Sequence, residues 1–376
     1  MFSKPYMTGL EEAYLTEVLK STTWHGDGHF TGRVSSFLQQ KTGTDAALLT
    51  SSGTHALELA ALLLDLTAGD EVICPTFTFP STATAIALRG ATPVFVDVTA
   101  DTLNLDVDAA AAAITERTRA IFVVHYGGVA ADLDRLLQLV EAHGISLVED
   151  NAHGMGGYYN GRHLGTFGVL GIQSWHDTKN FTCGEGGALL VNDPTLYSRA
   201  EILREKGTNR AAFLRGQIDK YTWVDHGSSY LPSEIQAAVL MAQFDHFDEI
   251  QQRRHGVWHR YAEQLQPWAT EHGVDLMSVP ERREHPAHLF YLVLPSRQDQ
   301  HEFIDHLSHR GVVAPFHYQP LHESPAGRSL GRAASACSVA ADRAHRLVRL
   351  PLHTDLTEVE VARVVRAVAD YRPVSR

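Results

Sequence analysis

Two charged residues, Asp150 and Lys179, have local sequences that set them apart from ordinary surface charges. Asp150 closes the apolar run ISLVED, and Lys179 stands in SWHDTKN, directly before the glycine-rich FTCGEGG. A carboxylate at the end of a buried strand is costly unless a cation pairs with it. A lysine sheltered from water loses its proton more easily and can form a Schiff base with an aldehyde. The simpler explanations, a capping aspartate and a solvated lysine, stay open for each residue alone.

Two earlier segments suggest groups that could hold a flat anionic ligand. SSGTHALELA is a small-residue turn that opens a helix near Gly53 and Thr54, and free N–H groups at a helix start favour a phosphate. Phe79 ends the segment PTFTF, where an aromatic ring could stack on a planar group. Each feature also has an ordinary explanation, since such turns cap many helices and phenylalanines usually pack in the core.

The order of these features along the chain is informative. A phosphate turn, an aromatic residue, a strand-terminal aspartate and then a lysine follow one another as in the large domain of fold-type-I pyridoxal-phosphate (PLP) enzymes. The sequence resembles the sugar-nucleotide aminotransferases of the DegT/DnrJ/StrS family over nearly its whole length. The resemblance is carried by SSGTHAL, ATPVFVDV, VHYGG, VEDNAH, GTFG, SWHDTKN, GEGGALLVND and FHYQPLH.

The resemblance implies a role for each of these residues. Lys179 would hold PLP covalently as an internal aldimine and shuttle a proton to the substrate. Asp150 would pair with the pyridine nitrogen, which must stay protonated for the ring to accept electrons. The other implied cofactor contacts are His153 beside the ring, Phe79 stacked on it, and a phosphate cup of Gly53, Thr54 and Ser174.

One segment departs from the family pattern. Many relatives carry a GxNYR motif whose asparagine reaches the cofactor phosphate of the neighbouring subunit, whereas this chain reads GSSYL with Ser229 and Leu231. Serine still donates a hydrogen bond, but its reach is shorter. The resemblance therefore implies a homodimer with shared active sites, in which the partner subunit's Ser229 stands near the phosphate.

Two further segments indicate the substrate. GDGHFT and GTNRAAFLRGQIDKYTWVDHGSSYL resemble the branch that contains dTDP-4-amino-4,6-dideoxygalactose transaminase. That branch implies amination at C4 of dTDP-4-keto-6-deoxy-D-glucose, a nucleotide-linked keto-sugar, with L-glutamate as amino donor. The segment 199–220 is rich in arginine and lysine, which suits a diphosphate. The candidate substrate residues are Arg210, Lys220, His317 and Tyr318, the last two at a predicted strand end.

Other functions stay open. Only the resemblance to the narrower branch favours amination at C4 over amination of a 3-keto-sugar. A PLP-dependent dehydratase of the same fold is disfavoured because such relatives carry histidine in place of Lys179. A non-catalytic PLP sensor has no DNA-binding segment to support it, and no G-x-G-x-x-G follows a strand as a nicotinamide-dependent enzyme would require.

The segments that must position these residues alternate between strand and helix. Strands alternating with longer helices predict crossover units and a mostly parallel sheet. Ligands of such sheets bind beyond the carboxyl ends of the strands. The predicted strands are EVICP, PVFVDV, RAIFVVHY and ISLVED, and the predicted helices are HALELAALLLDL, STATAIALRG, VDAAAAAI and DLDRLLQLVEAHG.

The C-terminal part has a different pattern. A long helical stretch from Ser233 to about Gln266 leads into the strand candidates HLFYLVL and VVAPFHY and the helix TEVEVARVVRAVADY. We therefore predict an α/β fold-type-I PLP-transferase with a large, mostly parallel mixed-sheet domain over residues 1–245 and a smaller α+β domain over 246–376.

Bulk properties exclude several classes of protein. The 376 residues are 44% hydrophobic and 20% charged with a formal net charge of -12, which argues against general nucleic-acid or anionic-membrane binding. The three cysteines show no metal or disulfide spacing. The N-terminus lacks a signal-peptide core, and the run LELAALLLDL is too short to span a bilayer. We therefore expect a cytoplasmic protein with no metal and no membrane contact.

Overall fold

An eight-stranded sheet is the largest element of the molecule. The computed structural model describes residues 2–374. Within them, strands β1 to β14 are Ala46–Thr50, Glu71–Pro75, Thr92–Val96, Thr118–Val124, Ser146–Asp150, Tyr158–Tyr159, Arg162–His163, Leu170–Ser174, Gly187–Val191, Asp275–Leu276, Arg283–Glu284, Phe290–Val293, Arg332–Ala333 and Leu347–Leu350.

The sheet is mixed but mostly parallel. Its strand order is β1-β9-β8-β5-β4-β2-β3-β13, and only β9 runs antiparallel to its neighbours β1 and β8. The pairs from β8 through β13 are all parallel. The carboxyl ends of β2, β4, β5 and β8 therefore meet at one edge, as the alternation of strands and helices predicted.

Helices cover both faces of this sheet and form most of the remainder. Helix α6 illustrates why they begin and end where they do: the Asp132 side chain accepts from the Arg135 N–H, and Gly144 ends the helix at φ 62°. Helices α1 to α14 are Glu11–Ser21, His29–Thr42, Gly53–Leu63, Pro80–Ala87, Val107–Ala113, Leu133–His143, Tyr197–Arg204, Arg210–Leu214, Glu234–Asp245, Phe247–His272, Arg297–His309, Pro325–Leu330, Ser338–Ala344 and Glu358–Ala369.

Alternation along the central strands divides the core into two layers. In β4, Phe122 packs on the side of α3, whereas Ile121 and Val123 pack on the side of α5 and α6. Successive strand residues point to opposite faces, so a strand covered on both sides reads as continuously apolar. This doubly covered sheet confirms the predicted fold class. No helix in residues 2–374 has the length and apolar character needed to cross a membrane.

The C-terminal part contains a three-stranded antiparallel sheet in the order β10-β12-β14. The long helical stretch predicted from Ser233 is two helices, α9 and α10, with a break at His246. The strand predicted at VVAPFHY is wrong, because residues 312–318 form no strand. Pro315 has no N–H to donate, and its carbonyl accepts from the Arg349 N–H at 2.9 Å. His317 and Tyr318 therefore lie on irregular backbone rather than at a strand end.

The two parts of the chain share the large sheet. Strand β13 comes from the C-terminal part and pairs in parallel with β3, Arg332 standing opposite Val94. The Arg332 guanidinium donates to both carboxylate oxygens of Glu71 in β2, at 3.0 and 2.8 Å. The domain boundary near residue 245 stays a prediction.

A buried charged residue of β5, Glu149, anchors the loop between β7 and β8. Glu149 is 0% exposed and accepts from the Gly165, Phe167 and Gly168 N–H groups and contacts His125 Nε2 at 2.9 Å. Burial alone would raise the pKa of Glu149, but these hydrogen bonds and His125 together hold the pKa below its usual value. The carboxylate thus holds the loop that leads into β8, the strand that pairs with β5 and stands beside Asp150.

We expect Glu149→Gln to lower the free energy of unfolding by about 3 kcal/mol, because the amide NH₂ would face N–H donors in a dry site. Urea unfolding at pH 7 measures this loss of stability. The control is Glu141→Gln, at an exposed position of α6. Because the folded-state pKa of Glu149 is lowered, its stabilising effect is present at neutral pH and is lost as the pH falls through that pKa. An unchanged midpoint for Glu149→Gln would contradict this role.

Candidate active site

A large cavity opens at the carboxyl edge of the sheet. Its volume is about 1080 Å³, and residues from both parts of the chain line it. Among residues 2–374 there is no cluster of three or more His, Cys, Asp or Glu side chains arranged to bind a metal. The cavity brings together nine of the residues singled out from the sequence: Gly53, Thr54, Phe79, Asp150, His153, Ser174, Lys179, His317 and Tyr318.

Asp150 lies at the end of β5 and is 5% exposed. Thr82 Oγ1 in α4 donates to its Oδ2 at 2.7 Å, and the Ala152 N–H donates to Oδ1 at 3.3 Å. Burial raises the pKa of Asp150, while these hydrogen bonds and the charge of Lys179 act in the opposite direction. A cationic partner in the cavity would therefore stabilise the ionised carboxylate.

Lys179 lies in the loop between β8 and β9, on the same cavity as Asp150. Its backbone N–H donates to the His176 carbonyl at 2.9 Å, which fixes the loop. Burial lowers the pKa of Lys179 to about 8. The negative charge of Asp150 raises this pKa, and the positive charge of Arg349 lowers it by a smaller amount. The amine is therefore available as a nucleophile and base near neutral pH.

We expect Lys179 to react with a small aldehyde faster than any surface lysine. At pH 8 an ordinary lysine is roughly 0.3% free base, so a pKa of about 8 gives a roughly 100-fold larger reactive fraction. Reductive labelling of the cofactor-free protein between pH 6 and 10, followed by peptide mass spectrometry, should show labelling of Lys179 rising with a midpoint near pH 8. If Lys179 and exposed Lys20 gave the same midpoint, the pKa shift would be refuted.

The start of α3 forms a second part of the cavity wall. Ser52 caps the helix by accepting from the His55 N–H at 3.0 Å, which leaves the first N–H groups, at Gly53 and Thr54, without carbonyl partners in the helix. A Cβ at Gly53 would lie 2.9 Å from the Ser174 Cβ, so only glycine allows β8 to approach so closely. Together with the Ser174 hydroxyl, these groups suit an anion.

Aromatic and imidazole rings form the opposite wall. His153 stacks on His288 with ring centroids 4.3 Å apart. Burial lowers the pKa of His153 well below its usual value, so the ring is neutral at pH 7. Its Nδ1 accepts from the Gly127 N–H, which places the proton on Nε2, 3.3 Å from the Tyr318 hydroxyl. Phe79 is 57% exposed, and its side chain faces the cavity rather than the core.

Three predicted residues do not reach the cavity of their own chain. Arg210 pairs with Glu205 at 2.7 Å, and Lys220 and Ser229 are exposed. The positive charge expected over 199–220 is largely neutralised by acids inside and outside the segment. The pairs are Arg199 with Asp65 and Asp225, Arg204 with Asp27, and Arg215 with Glu201.

Sequence reasoning missed several residues that line the cavity or hold its lining residues in place. Thr82 holds Asp150, His288 stacks on His153, and Arg349 extends from β14. Tyr126 contacts His317 Nδ1 at 2.6 Å, beside the cavity. Two of them could have been found from the sequence. His288 and Arg349 interrupt the apolar runs AHLFYLVL and LVRLPL, and burying a polar side chain is costly unless it has a partner.

Comparison with known proteins points to a single family of aminotransferases. The model of the DegT/DnrJ/EryC1/StrS aminotransferase family matches residues 5–369. The aminotransferase TlmJ from Streptoalloteichus hindustanus is 29% identical, covering 98% of this chain and 97% of that chain, with a TM-score of 0.90. Spr1654 from Streptococcus pneumoniae, described as a sugar aminotransferase and solved in a PMP form, is 29% identical over 98% of each chain, with a TM-score of 0.91.

A third solved structure is that of S. venezuelae DesV in complex with a ketimine intermediate. It is 32% identical, covering 96% of this chain and 95% of that chain, with a TM-score of 0.86. The predicted family resemblance and the transaminase class are thereby confirmed. The chain belongs to the DegT/DnrJ/EryC1/StrS aminotransferase family.

Proposed function

We propose that the chain is a PLP-dependent aminotransferase that moves an amino group from L-glutamate to C4 of a nucleotide-linked 4-keto-6-deoxyhexose, dTDP-4-keto-6-deoxy-D-glucose. The observation that carries the proposal is one cavity holding both a lysine of lowered pKa and a buried aspartate. Family membership and the PLP and PMP forms of Spr1654 support it.

The cavity residues fit PLP chemically. Asp150 offers a carboxylate to a pyridinium nitrogen, and Thr82 and Ala152 keep that carboxylate oriented. The start of α3 at Gly53 and Thr54, which Gly53 allows to approach Ser174 closely, suits the phosphate. Phe79 is free to stack on the ring, and Lys179 would carry the covalent attachment.

PLP supplies an electrophilic carbonyl carbon and a ring that accepts electrons. Lys179 then moves the protons: its Nζ takes one from the α-carbon of glutamate and later delivers one to C4 of the sugar. Asp150 holds a negative charge at the far end of the cofactor site throughout both half-reactions. His153 donates from Nε2. Its pKa is lowered and its Nδ1 already accepts from the Gly127 N–H, so His153 does not compete with Asp150 for the ring proton.

The substrate assignment rests on the segments GDGHFT and GTNRAAFLRGQIDKYTWVDHGSSYL and on the size of the cavity. Its volume of about 1080 Å³ lies at the top of the range for small-molecule sites, which leaves room for a hexose beside a cofactor. We propose that His317 and Tyr318, which line the cavity, contact the sugar.

We further propose a homodimer with shared sites. The segment carrying Arg210, Lys220 and Ser229 is outside the cavity of its own chain, so these residues would serve the partner's site. Sedimentation of an active monomer would contradict this arrangement. A cytoplasmic location is part of the proposal, supported by the free thiols of Cys74, Cys183 and Cys337.

The decisive experiment is to incubate the protein with PLP, L-glutamate and dTDP-4-keto-6-deoxyglucose and to determine the product by NMR. We expect the 4-amino-4,6-dideoxy sugar nucleotide and 2-oxoglutarate in equal amounts. Amination of only the 3-keto isomer would favour the alternative 3-aminotransferase. Loss of the hydroxyl without gain of nitrogen would indicate a dehydratase, and PLP binding without turnover of any keto-sugar would indicate a sensor.

A further inference from the structure

His288 lies just before β12 and forms part of the cavity wall. Its ring stacks on the ring of His153, with centroids 4.3 Å apart. The positive charge of Lys179 lowers the pKa of both rings, so the stacked pair lies near the reactive amine. Stacking does not show which ring nitrogens carry protons, but the hydrogen bonds made by each ring do.

Asn180, the residue after Lys179, determines where His288 holds its proton. The Asn180 Nδ2 donates to the Pro286 carbonyl at 2.7 Å and to Gln251 Oε1 at 3.1 Å, and Oδ1 lies 2.9 Å from His288 Nδ1. A backbone carbonyl only accepts, so the atom that faces Pro286 must be the amide nitrogen. The amide oxygen then faces His288, and because this oxygen only accepts, His288 Nδ1 carries the proton.

The other ring nitrogen of His288 is therefore a free acceptor. Burial lowers the pKa of His288 well below its usual value, so the ring is neutral at pH 7 and holds a single proton. Nε2 keeps its lone pair and points away from Asn180, and no group within residues 2–374 donates a hydrogen bond to it. The cavity wall thus contains a hydrogen-bond acceptor that the protein itself does not use.

His153 has the opposite arrangement of its proton. Its Nδ1 accepts from the Gly127 N–H at 3.3 Å, so its Nε2 is the donor and lies 3.3 Å from the Tyr318 hydroxyl. The stacked pair therefore presents a donor from one ring and an acceptor from the other. An acceptor left without a partner in a site that excludes water costs free energy. A ligand that reaches His288 is therefore favoured if it brings a hydrogen-bond donor.

We propose that His288 Nε2 accepts a hydrogen bond from the hydroxyl on C3 of the hexose, the carbon next to the one that receives the amino group. The inference rests on the proposed function, and it adds a residue that selects the sugar. In a nucleotide-linked 4-keto-6-deoxyhexose, only C2 and C3 carry hydroxyls. The C3 hydroxyl is the nearer of the two to C4, where Lys179 delivers its proton. The carboxylates of L-glutamate only accept, so they gain nothing at Nε2.

The test compares two variants on two sugars. His288→Asn keeps an amide nitrogen near the position of Nδ1, which faces Asn180, but removes the acceptor on the cavity side. His288→Gln has a longer amide whose oxygen can reach the position of Nε2. The sugars are dTDP-4-keto-6-deoxyglucose and its 3-deoxy counterpart, dTDP-4-keto-3,6-dideoxyglucose. The measurement is the second half-reaction, a single turnover of keto-sugar by protein loaded with pyridoxamine phosphate.

We expect His288→Asn to lower the apparent second-order rate constant for the hydroxylated sugar by about 10-fold, through loss of one hydrogen bond. The wild type should lose a similar factor on the 3-deoxy sugar. His288→Asn on the 3-deoxy sugar should show no further loss, since the two changes remove the same contact. His288→Gln should recover part of the loss on the hydroxylated sugar.

Binding without chemistry provides a second readout. Titration calorimetry of the PLP-loaded protein uses dTDP-6-deoxyglucose, which has no keto group, and its 3-deoxy analogue. His288→Asn should weaken Kd about 10-fold for the first ligand and leave Kd for the second unchanged. The first half-reaction with L-glutamate, followed by cofactor absorbance, should change less than about threefold. The control His301→Asn, at an exposed position of α11, should leave every measurement unchanged.

The outcomes distinguish this inference from the proposed function. Equal losses on both sugars, or an equal loss in the glutamate half-reaction, would show that His288 only supports the wall and would overturn the proposal. If His288→Asn does not fold, the wild type decides: equal rates on the two sugars overturn the proposal while the aminotransferase stands. If the wild type aminates neither dTDP-sugar, the substrate assignment fails and the proposal for His288 fails with it.

Discussion

Replacing Lys179 with alanine is expected to lower kcat by about 10⁴-fold or more, because the variant lacks the only group proposed to move protons at the reacting carbons. The Nζ of Lys179 is suited to this task by its pKa of about 8, which burial produces. Turnover of the keto-sugar with L-glutamate measures the loss. PLP should still bind, since the phosphate site at α3 is unchanged, and dialysis with cofactor fluorescence checks this.

The matched control is Lys20→Ala, which removes an exposed lysine in the last turn of α1. Its kcat should equal that of the wild type. A Lys179→Ala protein that retained PLP and turned over at a similar rate would exclude Lys179 as the proton carrier and, with it, the proposed chemistry.

Asp150→Asn is expected to slow both half-reactions by about 10²- to 10³-fold while PLP remains bound. The amide keeps the shape of the carboxylate and can still accept from Thr82, so folding should be preserved. It loses the negative charge that would keep the ring nitrogen protonated. Stopped-flow measurement of each half-reaction tests this, because a defect confined to one of them would point to a substrate contact instead.

Asp108→Asn, at an exposed position in α5, provides the control for the loss of one carboxylate. An unchanged rate in Asp150→Asn across both half-reactions would remove Asp150 from its role. Lys179→Ala and Asp150→Asn thus test the same arrangement from opposite ends of the cofactor site.

Much of the large sheet could be predicted from local sequence. The strands EVICP and ISLVED and the helix bounded by Asp132 and Gly144 are short-range signals, since each depends on residues within a few positions. Once the strands are parallel, Asp150 must lie at their carboxyl edge, so the position of the site also follows from the sequence. The absence of a strand at VVAPFHY could not be predicted from the local sequence. An apolar run around Pro315 does not show whether its N–H groups will pair with a neighbouring strand.

The contacts within the site depended on residues far apart in the chain. Thr82 reaches Asp150 across 68 positions, and nothing in its own segment marks it. The segment 199–220 was predicted to be locally basic because two of the acids that pair with its arginines, Asp65 and Asp27, are distant in sequence. Arg349 interrupts the apolar run LVRLPL, but this pattern does not show that its side chain lines the same cavity as Lys179.

Because β13 returns to the large sheet, the N-terminal part of the chain is incomplete without the C-terminal part. A fragment that stops near residue 245 would lack Arg332–Ala333 and would leave the outer edge of β3 with unpaired backbone groups, together with a Glu71 deprived of Arg332. Such an open edge invites pairing between molecules and precipitation. A single proteolytic cut within 246–331, by contrast, should yield two pieces that stay associated, since the distal piece carries the outermost strand of the sheet.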